Sequence, residues 1–386
     1  MPQRLTGEFV ESSTGGARVR AYIPHPLRPN PPIDFPILLP AYERASSAIG
    51  RLDGVATIFP STPLFLYMYV RKEALLSSQI EGTQSSLSDL LLFENHEIPY
   101  VPLDDVTEVS NYVAAMTYGI ARLREGFPLS LRLLREMHQI LLGSGRGASR
   151  QPGEFRTTQN WIGGTRPDNA LFVPPPPDRL MACLNSFEHF LHDPALPPLI
   201  RAGLAHVQFE TIHPFLDGNG RLGRLLITLM LCEAGVLREP ILYLSLFLKT
   251  LRDDYYRLLQ EVRLQGSWET WMDFFLTGAA DTAEQATSTA KELMALFETD
   301  RQKIAQFGRA ASSTLRVHEF LQRRPMITIQ AAAKDLNLSV PTITNALELL
   351  IKSGIVREVT GRRRNRLFAY PSYLGRLDEG TEPLPT

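Results

Sequence analysis

TIHPFLDGNGRLGRLLITLMLCEAG, residues 211–235, decides how this chain is read. Gly218-Asn219-Gly220-Arg221-Leu222-Gly223 fits G-x-G-x-x-G, the spacing of a dinucleotide-binding turn. That turn belongs between a strand and a helix of a parallel sheet. The text before it, PPLIRAGLAHVQFETIH (197–213), is too long for a strand. Its Ile200, Leu204, Val207 and Thr211 recur at helical spacing instead. A Rossmann unit is therefore the wrong frame.

The chemistry still points to an anion. Glycines let successive backbone N–H groups face one concavity. A helix beginning near Arg221 and running through RLLITLML aims its positive end at the same spot. Arg221 and Arg224, at i and i+3, add two guanidinium forks on one helix face. Asp217 offers the hard oxygen that Mg²⁺ needs beside phosphate. His213 is the residue type of a general base at neutral pH. A His, an Asp, two Arg and three Gly within twelve residues are hard to explain as packing.

The surroundings are those of a globular protein. The chain has 386 residues, 44% hydrophobic and 21% charged, enough for two or three domains. A net charge of −1 places any nucleic-acid contact in a local patch. Cys183 and Cys232 sit in apolar, helix-like text and read as buried thiols of a reducing compartment. The first twenty residues lack a signal-peptide core, and no apolar run approaches the ~20 residues of a membrane span. A cytoplasmic protein with no membrane contact is the expectation.

Residues 1–40, rich in Gly and Pro, predict an extended arm lying on the main domain; 41–142 read as helical. In PLSLRLLREMHQILLG, Leu133, Met137, Ile140 and Leu141 form one stripe and Gly143 the stop. Residues 153–173, aromatic and β-branched around Gly163-Gly164, predict a β-hairpin flap within a 143–285 unit. A linker helix (286–313) and a small module (314–386) complete the chain. His189 and His192 beside Asp193 have a metal-like spacing but read as a solvated helix end.

HPFLDGNGRLGR (213–224) resembles the active-site motif of the Fic family, HPFx[D/E]GNGRxxR, and the resemblance extends over roughly residues 5–280. It implies a mainly α fold: a helical core with a β-hairpin flap, here followed by a small winged-helix domain. It also implies transfer of AMP from ATP to a Ser, Thr or Tyr hydroxyl of a target protein or of the chain itself, releasing pyrophosphate. By that resemblance His213 takes the hydroxyl proton and Asp217 holds Mg²⁺ between the α- and β-phosphates. The backbone of Gly218, Asn219 and Gly220 cradles the phosphates, with Leu222 and Gly223 completing the turn into the helix. Arg221 contacts the β-phosphate, Arg224 the γ-phosphate, and Phe215 anchors the loop. Tyr256 contacts adenine, with Tyr255 as its core neighbour. The flap docks a target segment by strand addition, with Trp161 either exposed there or a hinge in the core.

ALLSSQIEGTQSS (74–86) carries a second motif. Ser77 to Gly82 matches [S/T]xxxE[G/N], the inhibitory helix of Fic proteins, expected here at about 68–82. Ser77 and Glu81, at i and i+4, share a helix face, and Gly82 lets the chain turn away. A carboxylate is disfavoured at a helix C-terminus, so Glu81 needs a cation elsewhere. By the resemblance this is Arg224, whose pairing with Glu81 would block the γ-phosphate site. Glu81 orienting a water to remove AMP is a second reading.

The C-terminal text reads helix, helix, turn, helix, hairpin. Residues 330–336 form a short helix, and VPTITNALELLIKSG is a helix capped by Ser339 and stopped by Gly354. The pattern resembles a winged helix-turn-helix. Arg362, Arg363, Arg364 and Arg366 in the wing would meet DNA phosphates, with Thr342, Thr344 and Asn345 exposed on the recognition helix. Such modules also build homodimers. A nucleotide-sensing DNA-binding regulator is the rival to the enzyme.

Overall fold

The structure, a computed structural model, describes residues 4–14, 16–58, 62–95 and 101–384. It is mainly helical, as the periodicities predict, with two small antiparallel sheets. The N-terminal segment is extended, but paired with itself rather than a single arm. β1 (Gly7–Thr14) and β2 (Ala17–Pro24) form a hairpin. Tyr22 N–H donates to the Val173 carbonyl, and Val19, Ala21 and Val173 share a small apolar cluster, so this hairpin backs the flap.

Helices α1 (Phe35–Ile58), α2 (Thr62–Ile80), α3 (Leu87–Glu94), α4 (Leu103–Arg124) and α5 (Leu131–Leu141) come next. In α5 the expected stripe turns inward: Leu133, Met137 and Leu141 are buried and Ile140 half-buried. α6 (Pro177–Leu191), α7 (Pro198–Ile212), α8 (Asn219–Glu233), α9 (Ser245–Thr250), α10 (Arg252–Gln265) and α11 (Trp268–Ala305) complete the core. α7 is buried from Leu199 to Ile212 and α8 is nearly so. A helix enclosed on every side belongs at the centre of a fold. The 213–218 loop therefore joins two central helices. The 38 residues of α11 run unbroken past position 285, so core and linker are one helix.

The flap is looser than the expected hairpin. Ile162 and Phe172 make a single antiparallel bridge, and a 3-10 turn spans 167–169. The Asn169 Oδ1 accepts from the Thr165 and Arg166 N–H groups. The turn's donors are thus spent locally and do not extend a ladder. Trp161 is exposed on this segment.

The C-terminal module comprises α12 (Ala311–Arg323), β3 (Met326–Thr328), α13 (Ile329–Leu336), α14 (Val340–Lys352), β4 (Arg357–Glu358), β5 (Leu367–Ala369) and α15 (Pro371–Asp378), with strand order β3-β5-β4. Ser339 Oγ caps α14 by accepting from Thr342 N–H. α15 was not foreseen in the sequence. The module sits on α11 through a ring cluster of Phe297, His318, Tyr370 and Tyr373. The Tyr370 hydroxyl donates to Asp300 Oδ2 at 2.6 Å. Beyond α15 the chain returns to the core. Lys72 Nζ donates to the Glu379 carbonyl at 2.7 Å and Gln79 Nε2 to that of Thr381 at 2.8 Å. Among the described residues no helix is long and apolar enough to cross a membrane.

Candidate active site

α7 ends at His213, which adopts a left-handed backbone (φ 48°, ψ 62°) that a non-glycine residue takes at some cost. The surroundings enforce it. Arg156 Nε and Asn160 Nδ2 both donate to the His213 carbonyl, at 2.9 and 3.4 Å, and Arg156 N–H donates to that of Pro214. Asn219, the first residue of α8, closes the loop from the far side. Its Oδ1 accepts from Phe215 N–H and its Nδ2 donates to the Phe215 carbonyl, both at 2.9 Å. His138 of α5 stacks on the buried Phe215 ring at 3.7 Å. Its Nδ1 accepts from Gly153 N–H at 2.9 Å, which leaves Nε2–H to donate to the Asp217 carbonyl at 3.0 Å. Burial holds His138 neutral, its pKa pushed down to about 4.

The functional side chains sit on this frame. Burial, helped by the Arg263 and Arg156 guanidiniums, pushes the His213 imidazole down to about 3, so the ring is neutral. Its Nδ1 lies 3.9 Å from Glu210 Oε2, one turn back on α7. Glu210 is buried, its Oε1 has no hydrogen-bond partner among the described residues, and burial raises its carboxyl to about 7. Asp217 points outward, its side chain 44% exposed, with Oδ1 taking Gly218 N–H at 2.6 Å and standing 3.7 Å from Arg221 Nη2. One accessible carboxylate beside an anion cradle is the donor set Mg²⁺ uses when phosphate oxygens and water supply the rest. Among the described residues no cluster of three or more His, Cys, Asp or Glu would hold a metal alone. Asp193 is occupied by Arg28 at 2.6 and 2.8 Å and accepts from Ala195 N–H.

The two arginines are both buried and both paired. Arg221 Nη1 meets Glu108 Oε2 of α4 at 2.9 Å. Arg224 donates from Nε to Ser77 Oγ and from Nη2 to the Ser77 carbonyl, each at 2.9 Å. Its Nη2 also meets Glu81 Oε1 at 2.6 Å. Burial alone would lower the Arg224 pKa, but Glu81, Tyr255, Tyr256 and Glu210 raise it overall. Burial works to raise the Glu81 pKa, and Arg224 overrides it to leave a carboxylate.

Glu81 does not lie inside its helix, as the expected span of about 68–82 would have it. α2 ends at Ile80, and Glu81 and Gly82 close it with bonds to the Ser78 and Gln79 carbonyls. Gly82 then turns at φ +100°. The carboxylate thereby leaves its own helix's negative end and reaches the positive end of α8. A Cβ on Gly220, in the first turn of α8, would lie 2.3 Å from Glu81 Oε1. The bare glycine backbone is what admits the carboxylate to the cradle.

Other expected residues fall out variously. Tyr255 is buried, its hydroxyl 2.9 Å from His206 Nε2, whereas Tyr256 is 40% exposed with the Arg252 guanidinium 5.3 Å from its ring. Cys183 is buried, but Cys232 is only half-buried, a correction to the expected pair of buried thiols. Thr342 and Thr344 are not exposed. They are half-buried, with hydroxyls turned to Ser339 Oγ and the Val340 carbonyl, and only Asn345 faces solvent. Arg362, Arg363 and Arg364 are exposed, and Arg366 lies against Phe368. Sequence reasoning missed Glu108, His138, Arg156, Asn160 and Glu210. Glu210 alone had a local signal, its i, i+3 spacing to His213; the others come from distant elements.

A helical core that presents a glycine cradle between two central helices, followed by a winged helix, defines the class. The Fic/DOC family N-terminal profile matches residues 39–121, the Fic/DOC family profile 128–231 and a winged helix-turn-helix DNA-binding profile 312–357. Residues 39–231 thus carry a Fic/DOC N-terminal domain and a Fic/DOC domain. The chain is similar to the protein adenylyltransferase Fic of Drosophila grimshawi, 32% identical over 196 residues, covering 47% of this chain and 38% of that protein. The Drosophila melanogaster protein of that name is 29% identical over 296 residues, covering 70% and 56%. The chain thus spans less than two thirds of these relatives. A Fic family protein from Desulfovibrio desulfuricans G20 shares the fold with a TM-score of 0.55 at 21% identity, over 86% of this chain and 96% of that one. A Fic domain containing signaling protein from Bacteroides thetaiotaomicron does so at 0.51 and 19%, over 64% and 95%.

Proposed function

We propose that the chain is an autoinhibited protein adenylyltransferase, moving AMP from ATP onto a Ser, Thr or Tyr hydroxyl of a target protein or of itself. In this reading the hydroxyl oxygen bonds to the α-phosphorus as the bond to pyrophosphate breaks, and His213 takes the hydroxyl proton. Phosphoryl-type transfer passes through a loose transition state, and positioning does most of the work. Gly218, Asn219, Gly220, Leu222 and Gly223 build the anion cradle, Arg221 and Arg224 neutralise the leaving phosphates, and Tyr256 borders the adenine. Asp217 would hold Mg²⁺, which would supply charge neutralisation at the phosphates. The flap, with exposed Trp161, would align the target segment.

The observation that carries the reading is the 2.6 Å Glu81–Arg224 pair at the mouth of the cradle. Ser77 and Gly82 support the brake, the first by holding Arg224 from the same helix, the second by turning the chain away after Glu81. Glu81→Gly should raise AMP incorporation from labelled ATP and Mg²⁺ at least tenfold, read by intact mass. Adding His213→Ala should then remove at least about a hundredfold, the usual worth of a general base. An unchanged rate in Glu81→Gly overturns the brake.

A second reading is favoured by the C-terminal profile and by the exposed Arg362, Arg363 and Arg364. The chain would be a DNA-binding regulator whose cradle senses nucleotide. Nucleotide binding without label transfer, together with salt-sensitive retention on DNA, supports it; no retention at low salt rejects it.

A further inference from the structure

We infer that Glu108 is a positioning residue that holds Arg221 in the cradle and keeps it off Asp217. The inference rests on the adenylyltransfer reading. Arg221 is 4% exposed, and a guanidinium that has left water needs a fixed anion. Two carboxylates are within its reach. Glu108 Oε2 is 2.9 Å from Nη1, and Asp217 Oδ1, one turn back on the edge of the loop, is 3.7 Å from Nη2. The nearer contact is a full hydrogen bond and the farther one is not. If Glu108 lost its charge, Asp217 would be the remaining anion, and Arg221 would turn to it. One swing would withdraw a cation from the phosphates and occupy the carboxylate suited to Mg²⁺.

Glu108 is itself braced. Its Oε1 accepts from Arg146 Nε at 2.6 Å, and Arg146 Nη2 meets Asp105 Oδ1 at 3.0 Å. Asp105 Oδ2 accepts from Gln84 N–H at 2.7 Å. Gln84 lies three residues beyond Glu81, so the chain of contacts that ends on Arg221 begins beside the inhibitory turn. Glu108 and Asp105 lie three apart on α4, on one face, and both are buried there. Solvated helix-surface acids would not be.

The test measures ADP and AMP binding by calorimetry with Mg²⁺, in the Glu81→Gly protein and in the same protein carrying Glu108→Gln or Glu108→Asp. Arg221 serves the β-phosphate, which ADP has and AMP lacks. Glu108→Gln should weaken ADP about tenfold and change AMP less than twofold, with Glu108→Asp between. On an Arg221→Gln background, Glu108→Gln should cost ADP nothing further. An equal loss for both nucleotides, or no loss, overturns the inference. If Glu108→Gln does not fold, Glu108→Asp decides alone: an ADP affinity equal to the parent's overturns it. Absence of nucleotide binding and of label transfer in Glu81→Gly itself would mark failure of the adenylyltransfer reading, and the inference falls with it.

Discussion

At the scale of single residues the site is defined by charges taken out of water in pairs. Arg224 is held by two oxygens of Ser77 as well as by Glu81. Glu210 shows the opposite state, a buried acid without a paired cation within 4 Å among the described residues except the neutral His213. Its pKa is raised in the folded protein to about 7. Such a group contributes stability that is complete below its unfolded value, near 4.5, and is lost as pH rises through 7. Glu210→Gln should remove this slope. The difference in unfolding free energy between wild type and variant, measured by urea titration at several pH values, should shift in the variant's favour between about pH 5 and 8. A difference independent of pH would mean that Glu210 is ionised throughout.

Elements explain why the loop keeps its shape. The strained His213 backbone is clamped by α7 behind it, by Arg156 and Asn160 of the flap and by Asn219 of α8. Asn219→Ala would leave Phe215 N–H buried without an acceptor, while Asn160 still donates to the Phe215 carbonyl. Orphaning one buried donor costs about 1–3 kcal/mol, to be read as a fall in the urea midpoint with an unchanged slope. The 213–224 cradle was legible because its parts are consecutive: a helix end, glycines, then a helix start. The flap was only half legible. Its aromatic and β-branched residues announced strand, but the Asn169 side chain captured the turn's N–H groups, and side-chain capture of a backbone is decided by local geometry that composition does not encode. The N-terminal segment was misread for a related reason. Gly and Pro suggested an extended arm on the main domain, while Val10, Val19 and Ala21 supplied enough apolar alternation for it to fold on itself as a hairpin against Val173.

Across the whole molecule, the winged helix is tied to the core at both its ends. α11 is shared, and the ring cluster of Phe297, His318, Tyr370 and Tyr373 closes the interface. The segment after α15 then supplies carbonyls to Lys72 and Gln79, both on the helix that leads to Glu81. Burial lowers the Lys72 pKa to about 8, so this ammonium leans on that segment. Phe297→Ala should cost about 3–5 kcal/mol, the usual range for emptying a buried aromatic site. It should make residues 306–310 cleavable in limited proteolysis before the core unfolds. Cleavage there only at the global melting temperature would show that the two units unfold as one.

The sequence by itself determined the glycine cradle, the histidine beside it, the carboxylate of the second motif and the helical class, because each is carried by neighbours within a turn or two. Tertiary structure alone decided the rest. It set Glu81 against the start of α8, 143 positions along the chain from Arg224, and it supplied Arg221 with Glu108 and Phe215 with His138. A buried charge must find its counter-charge wherever packing leaves one. That choice is made by how helices meet, a property of the folded chain that no local spacing contains.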